Sequence, residues 1–235
     1  MSVGTIHKYV GNFDYSFKRV ARVAAISLLD KSRKVRKAYA TWFLKINNSN
    51  RHIIFLRWNW VSGRHEEHIW PIIEGEKAIC SVPSIKSRNI TVMATMYTEG
   101  LLSYEALPVP CNKTLLESYL GRLNKVLEDL GLHNAIIIMD NASFHKCSQI
   151  KNIIESAGHE LHFLPPYSPF FNPIENMFSQ WKKIIRNIGP KDEPELLAAI
   201  NSFKTIITKE QCQNYYRHIV NNHIDCMNGE NVFDV

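Results

Sequence analysis

Ala135-Ile136-Ile137-Ile138-Met139-Asp140, followed by Asn141-Ala142-Ser143-Phe144-His145, is the stretch on which the fold turns. An apolar run of that length and β-branched content reads as a buried strand. The acid that ends it is delivered to the strand's carboxyl edge, where open α/β sheets place their sites. Downstream, Leu164-Pro165-Pro166-Tyr167-Ser168-Pro169-Phe170-Phe171-Asn172-Pro173-Ile174 leads into Glu175. Its four prolines stiffen the loop, and the last is placed to open a helix. Asp140 and Glu175 are therefore two carboxylates on rigid elements, 35 positions apart, and such a pair can share a divalent cation.

Outward from this stretch the patterning alternates between the two periods. Asp30 caps a helix expected to run to about Lys45, with Val35, Tyr39, Trp42 and Phe43 as its apolar face. Ile53-Ile54-Phe55-Leu56 is a short buried-strand pattern. A weak strand-like run at 77–83 precedes stronger ones at 88–97 and 101–107, joined by a turn at Thr98-Glu99-Gly100. Residues 112–130 read as a helix that buries Leu115, Leu116, Tyr119, Leu120, Leu123, Val126, Leu127 and Leu130. Then follow the strand 135–140, a helix near 146–157, a strand at 160–164 and a helix at 173–187. Helical stretches near 193–207 and 209–222 close the chain. With the weak run set aside, the order is three strands, helix, strand, helix, strand, helix. That predicts an α/β layer architecture with a mixed sheet.

Composition narrows the class. The 235 residues, 45% hydrophobic and 11% aromatic, suffice for one sizeable core. No apolar run approaches membrane-spanning length, and the first residues carry no signal-peptide pattern. Five scattered cysteines, never in a C-x-x-C pair, argue against structural zinc and a disulfide framework and for a reducing intracellular compartment. The net charge of +6 conceals an asymmetry. Residues 1–51 hold eleven Lys and Arg against Asp14 and Asp30, whereas the remainder is net acidic. A basic arm on such a body points to a polyanion, nucleic acid first. A solvated, charged helix around Lys31–Lys45 is the competing reading.

The wording of the motifs resembles a known family. Met139-Asp140-Asn141-Ala142-Ser143-Phe144-His145, Leu164-Pro165-Pro166-Tyr167-Ser168-Pro169 and Asn172-Pro173-Ile174-Glu175-Asn176, with Trp181-Lys182 after them, are similar to the catalytic core of mariner-like DDE transposases. The 34 residues between Asp140 and Glu175 match the spacing of one large branch of that superfamily. Ser2-Val3-Gly4-Thr5-Ile6-His7-Lys8-Tyr9, then Tyr15-Ser16-Phe17-Lys18-Arg19, are similar to the end of the family's second helix-turn-helix and its linker. Ser81-Val82-Pro83-Ser84-Ile85-Lys86-Ser87-Arg88-Asn89-Ile90 fits its middle segment. The resemblance implies a ribonuclease H-like mixed sheet flanked by helices over residues 28–235. It implies a short helical, basic N-terminal extension over 1–27, left by a helix-turn-helix DNA-binding domain and its linker in an N-terminally truncated copy.

In such enzymes three carboxylates hold two Mg²⁺ or Mn²⁺ ions, which activate the attacking oxygen and stabilise the leaving oxygen at phosphorus. Hard cations require oxygen ligands. The resemblance assigns Asp140 and Glu175 to metal binding and catalysis, with Asn141, His145 and Asn172 in support. It implies double-stranded DNA, specifically transposon ends, as partner, and the nucleus as compartment. Thr5, His7 and Lys8 are remnants of a recognition helix. Lys18, Arg19, Arg22, Lys182 and Lys183 are candidate phosphate contacts. For the two lysines after Glu175 a solvated helix face is an equal alternative, and for His145 a packed core position nearly so.

The first acid should follow a strand like Ile53–Leu56, and Arg57-Trp58-Asn59-Trp60 stands there instead. Arg57 puts a fixed positive charge where two cations belong. Trp is encoded by TGG alone, so an Arg57 codon ending in GA, read one frame over, gives Asp, then Gly, Ile or Thr, and Gly. Residues from about 57 to 70 are thus expected to be a frameshifted patch. His65-Glu66-Glu67-His68 within it has i,i+3 histidines and is not a zinc motif. Three functions stay open: a DDE transposase impaired at its first acid, a non-catalytic DNA-binding or dimerising protein that keeps the fold, and an exonuclease-type ribonuclease H relative.

Overall fold

In this computed structural model the described residues are 30–61, 90–142, 147–230 and 232. The basic connector, the 77–83 run, His65–His68, Thr5, His7, Lys8, Lys18, Arg19, Arg22 and His145 lie outside them. Helix α1 (Asp30–Asn47) leads into β1 (Ile53–Val61), and β2 (Ile90–Tyr97) and β3 (Gly100–Leu107) form a hairpin. Gly100 at φ 146° sits just past the Thr98-Glu99 turn, in a backbone region where a side chain would be strained. Then come α2 (Lys113–Asp129), β4 (Ile136–Met139), α3 (Ser148–Ser156) and β5 (Glu160–Phe163). A 3-10 turn (Pro169–Phe171) precedes α4 (Pro173–Ile188), α5 (Glu193–Ile206) and α6 (Lys209–Asn228).

The five strands form one mixed sheet in the order β3-β2-β1-β4-β5. β1 is antiparallel to β2 and parallel to β4, and β4 is parallel to β5. Because strand side chains alternate faces, the sheet carries two cores. Ile53, Phe55, Ile136 and Ile138 pack with Ala40 and Phe43 of α1, with α4, and with α5 and α6. Ile54, Leu56, Ile137 and Met139 pack beneath Leu116, Leu120, Leu123 and Leu127 of α2 and Ile150 and Ile154 of α3. Both faces being covered explains why β4 reads as an unbroken apolar run.

The expected α/β order is what folds, with local corrections. Strand β1 does not stop at Leu56: Arg57 through Val61 continue it and pair with Ala94 through Ile90 of β2. On α1 the inward stripe is Arg36, Ala40 and Phe43, and Val35 is exposed. Leu130 is exposed too, because α2 ends at Asp129 and Leu130 caps it. Helix α6 runs six residues past its expected end. Asn222 and His223 are buried, and the stop is Gly229 in the left-handed region at φ 92°. Among the described residues no helix is long and apolar enough to cross a membrane.

Candidate functional site

Leu56 pairs with Met139 across the parallel β1–β4 ladder, so Arg57, still within β1, and Asp140, just past the end of β4, stand side by side. Parity puts both on the face that α4 covers, since Phe55 and Ile138, two residues back, belong to that core. Glu175 arrives from above. Asn172 caps α4 by accepting from the Ile174 N–H at 3.2 Å, and Pro173 occupies the first helical position. Glu175 then falls in the first turn, where a carboxylate also favours the helix dipole. Burial of Ile174, Met177, Phe178 and Trp181 fixes the rotation of α4 against the sheet. Trp181 is clamped between Phe178 and Phe203 in stacked geometry, at 5.7 and 4.3 Å.

The three side chains meet. The Arg57 Nη1 donates to Asp140 Oδ2 at 3.2 Å, and Arg57 Nε lies 2.8 Å from Glu175 Oε1. The second contact is an ion pair by distance, not an aligned hydrogen bond. Each of the three side chains keeps about a fifth to a quarter of its surface accessible, 25% for Arg57, 21% for Asp140 and 18% for Glu175. The other Asp140 oxygen accepts from the Ala142 N–H at 3.4 Å. A guanidinium thus spans the gap between the two acids and offers a separate nitrogen to each.

A second rung lies beside the first. Asn59, two residues beyond Arg57 on the same face of β1, accepts from Lys182 Nζ at 3.1 Å. Lys182 is two helical turns beyond Glu175 on the same face of α4. Alternate residues of β1 therefore meet alternate double turns of α4 through polar contacts. Lys183 points to solvent. Asn141 is half-buried with its Oδ1 shielded and lacking a hydrogen-bond partner, and Asn172 is fully buried at its cap. Sequence reading missed the Asn59–Lys182 contact because it ended the strand at Leu56. Trp58, Trp60 and Val61, all strand formers, were the signal that β1 continues. It also missed Cys111, whose thiol is pushed up to about 11 by burial and then by the neighbouring Asp140 charge. Among the described residues no three His, Cys, Asp or Glu side chains cluster as metal ligands do.

Comparison with known proteins bears on the family and the fold. The family model for the DDE superfamily endonuclease matches residues 62–197, more than half of the chain. The match includes Asp140 and Glu175 and begins just after β1, so Arg57 falls outside it. No curated protein matches the chain. Among solved structures, a pre-cleavage Mos1 transpososome superposes with a TM-score of 0.80 at 14% identity, over 98% of this chain and 72% of that one. The mariner Mos1 paired end complex with Mg gives 0.80 at 14% identity, over 98% and 72%. The catalytic domain of Mos1 mariner transposase gives 0.68 at 14% identity, over 86% and 95%. At that identity the likeness establishes the fold, which is the ribonuclease H-like fold of a transposase catalytic domain.

Proposed function

We propose, on the premise that the chain belongs to the DDE superfamily endonuclease family, that it is a transposase-derived DNA-binding protein whose metal-dependent cleavage chemistry is blocked. The observation that carries this reading is Arg57, held 3.2 Å from Asp140 and 2.8 Å from Glu175. In the first-acid position of β1 it supplies a cation where the family supplies a carboxylate. Two acids already neutralised by one guanidinium do not fit a pair of divalent ions, each of which needs several oxygen ligands. A metal entering there would also face the positive guanidinium of Arg57. No catalytic step is therefore assigned to the chain as it stands.

DNA binding rests on other features. The first 51 residues are strongly basic, and the Mos1 chains of the same fold were solved in transposon-end complexes. Phosphate contacts by Lys18, Arg19, Arg22, Lys182 and Lys183 supply affinity. Thr5, His7 and Lys8 are the vestige of a recognition helix, in a 1–27 extension ahead of a catalytic-type domain over 28–235. Homodimerisation and a nuclear setting belong to the same reading.

The test is nicking of supercoiled plasmid with Mg²⁺ or Mn²⁺ beside duplex binding by gel shift, for the parent, Arg57→Asp and Asp140→Ala/Arg57→Asp. The expected result is salt-sensitive binding by all three and nicking by Arg57→Asp alone. Nicking by the parent overturns the block. Failure of the parent to bind duplex overturns the DNA-binding reading.

A further inference from the structure

Away from the carboxylates, the first two turns of α1 and the end of α6 enclose a cavity of about 160 Å³. Arg33, Lys34, Arg36 and Lys37 line it on one side, and Phe170 lines it from the loop that leads to Asn172 and α4. The opposite wall is the last turn of α6 with Cys226, Gly229 and Glu230. Arg36 is 5% exposed, with its guanidinium carbon 5.7 Å from the Phe170 ring centroid. Arg33, Lys34 and Lys37 are exposed around it. A buried, ring-supported guanidinium surrounded by exposed cations is the arrangement that grips a phosphate group.

The modest alternative is that these cations only neutralise the C-terminal end of α6. Magnitudes decide against it. The helix end carries roughly half a negative charge, and Glu230 is the one acid lining the cavity among the described residues. Among the described residues the three exposed cations that line the cavity, Arg33, Lys34 and Lys37, outnumber that one acid and the helix end together. Their placement with Arg36 on one helix face, spaced i, i+3 and i+4, concentrates the excess at the mouth of a cavity large enough for a phosphate group.

We infer that this pocket seats a phosphate of the DNA backbone, as a docking point distinct from the carboxylate pair. The inference rests on the DNA-binding reading above and adds to it a place on the molecule. Phe170 joins the two regions, since Glu175 lies five residues downstream of it at the carboxyl edge of the sheet. A duplex anchored at α1 is thereby carried toward that edge. Phosphate contacts of this kind fix position without reading sequence.

The experiment measures duplex affinity against salt for the full chain, for Arg33→Gln/Lys34→Gln/Lys37→Gln, and for a control, Lys113→Gln/Lys125→Gln/Lys151→Gln. All six positions are exposed, so folding is preserved. Each lost phosphate contact lowers the slope of log K against log salt by about 0.9. The pocket variant is expected to lose at least one such contact and about tenfold or more in affinity, with the control nearly unchanged. In parallel, pyrophosphate is expected to slow alkylation of Cys226, read by peptide mapping, in the parent and not in the pocket variant. Equal slopes for pocket variant and parent overturn the pocket while leaving DNA binding intact. Absent duplex binding with Cys226 still protected overturns the DNA-binding reading and, with it, the DNA identity of the phosphate. Absence of both effects overturns the two together.

Discussion

Arg57 and Asp140 stand at equivalent positions on neighbouring parallel strands, one residue beyond the Leu56–Met139 pair, and are joined by a 3.2 Å hydrogen bond. Through its Nε the same guanidinium reaches Glu175 on α4. One side chain therefore ties β1 of the sheet to α4, and on the proposed reading its charge stands in for that of bound cations.

Arg57→Ala leaves two carboxylates facing each other across a partly buried gap. Exposed pairs are worth about 0–1 kcal/mol and fully buried ones, when broken, about 3–5. Side chains with a fifth to a quarter of their surface accessible fall between, so a loss of about 1–3 kcal/mol is expected by urea unfolding. Arg57→Lys is expected to recover only part of it, because an ammonium lacks the fork that serves two acids.

Asn172→Ala removes the cap of α4 and a fully buried polar group. The expected cost is about 1 kcal/mol. In an Arg57→Asp background the same substitution also loosens Glu175, three residues on, and is expected to lower any restored plasmid nicking.

Trp181→Ala is expected to cost about 3–5 kcal/mol. The indole is wholly buried, stacked on Phe203 at 4.3 Å and edge-on to Tyr104 of β3 at 5.7 Å. Thermal unfolding followed by circular dichroism checks this, with Trp181→Phe as the milder variant.

His223 sits stacked between Phe43 at 3.9 Å and Phe171 at 4.1 Å, and burial pushes its pKa down to about 4. A folded-state value below the unfolded one of about 6.5 means that only the unfolded chain gains a proton as pH falls. Its contribution is intact above about pH 6.5 and is lost progressively toward pH 4, by at most about 1.4 kcal/mol per pH unit. Urea midpoints between pH 7 and 5 should fall for the parent and stay flatter for His223→Phe.

The apolar run before Asp140 and the proline-stiffened approach to Glu175 were legible because each obeys a local rule, strand-end delivery in one case and helix entry in the other. The two polar rungs between β1 and α4 were not. Asn59 and Lys182 are 123 positions apart, and no local period links a strand residue to a helix residue. Arg57 through Val61 looked foreign beside Ile53–Leu56, yet they hold register against β2. Trp58, Trp60 and Val61 suit a strand whatever their coding history, and strand pairing is indifferent to it. Val35 and Arg36 were exchanged for a similar reason. Hydrophobicity favoured Val35, but the long Arg36 stem reaches the Phe170 ring from the inward position.

Mn²⁺ binding followed by electron paramagnetic resonance tests the role of Arg57 most directly, with the parent, Asp140→Ala, Arg57→Asp, and Arg57→Asp/Asp140→Ala titrated side by side. The expected result is no Asp140-dependent Mn²⁺ site in the parent and a site in Arg57→Asp that the second substitution abolishes. A parent that binds Mn²⁺ stoichiometrically, and loses it in Asp140→Ala, would contradict the closure of this site by Arg57.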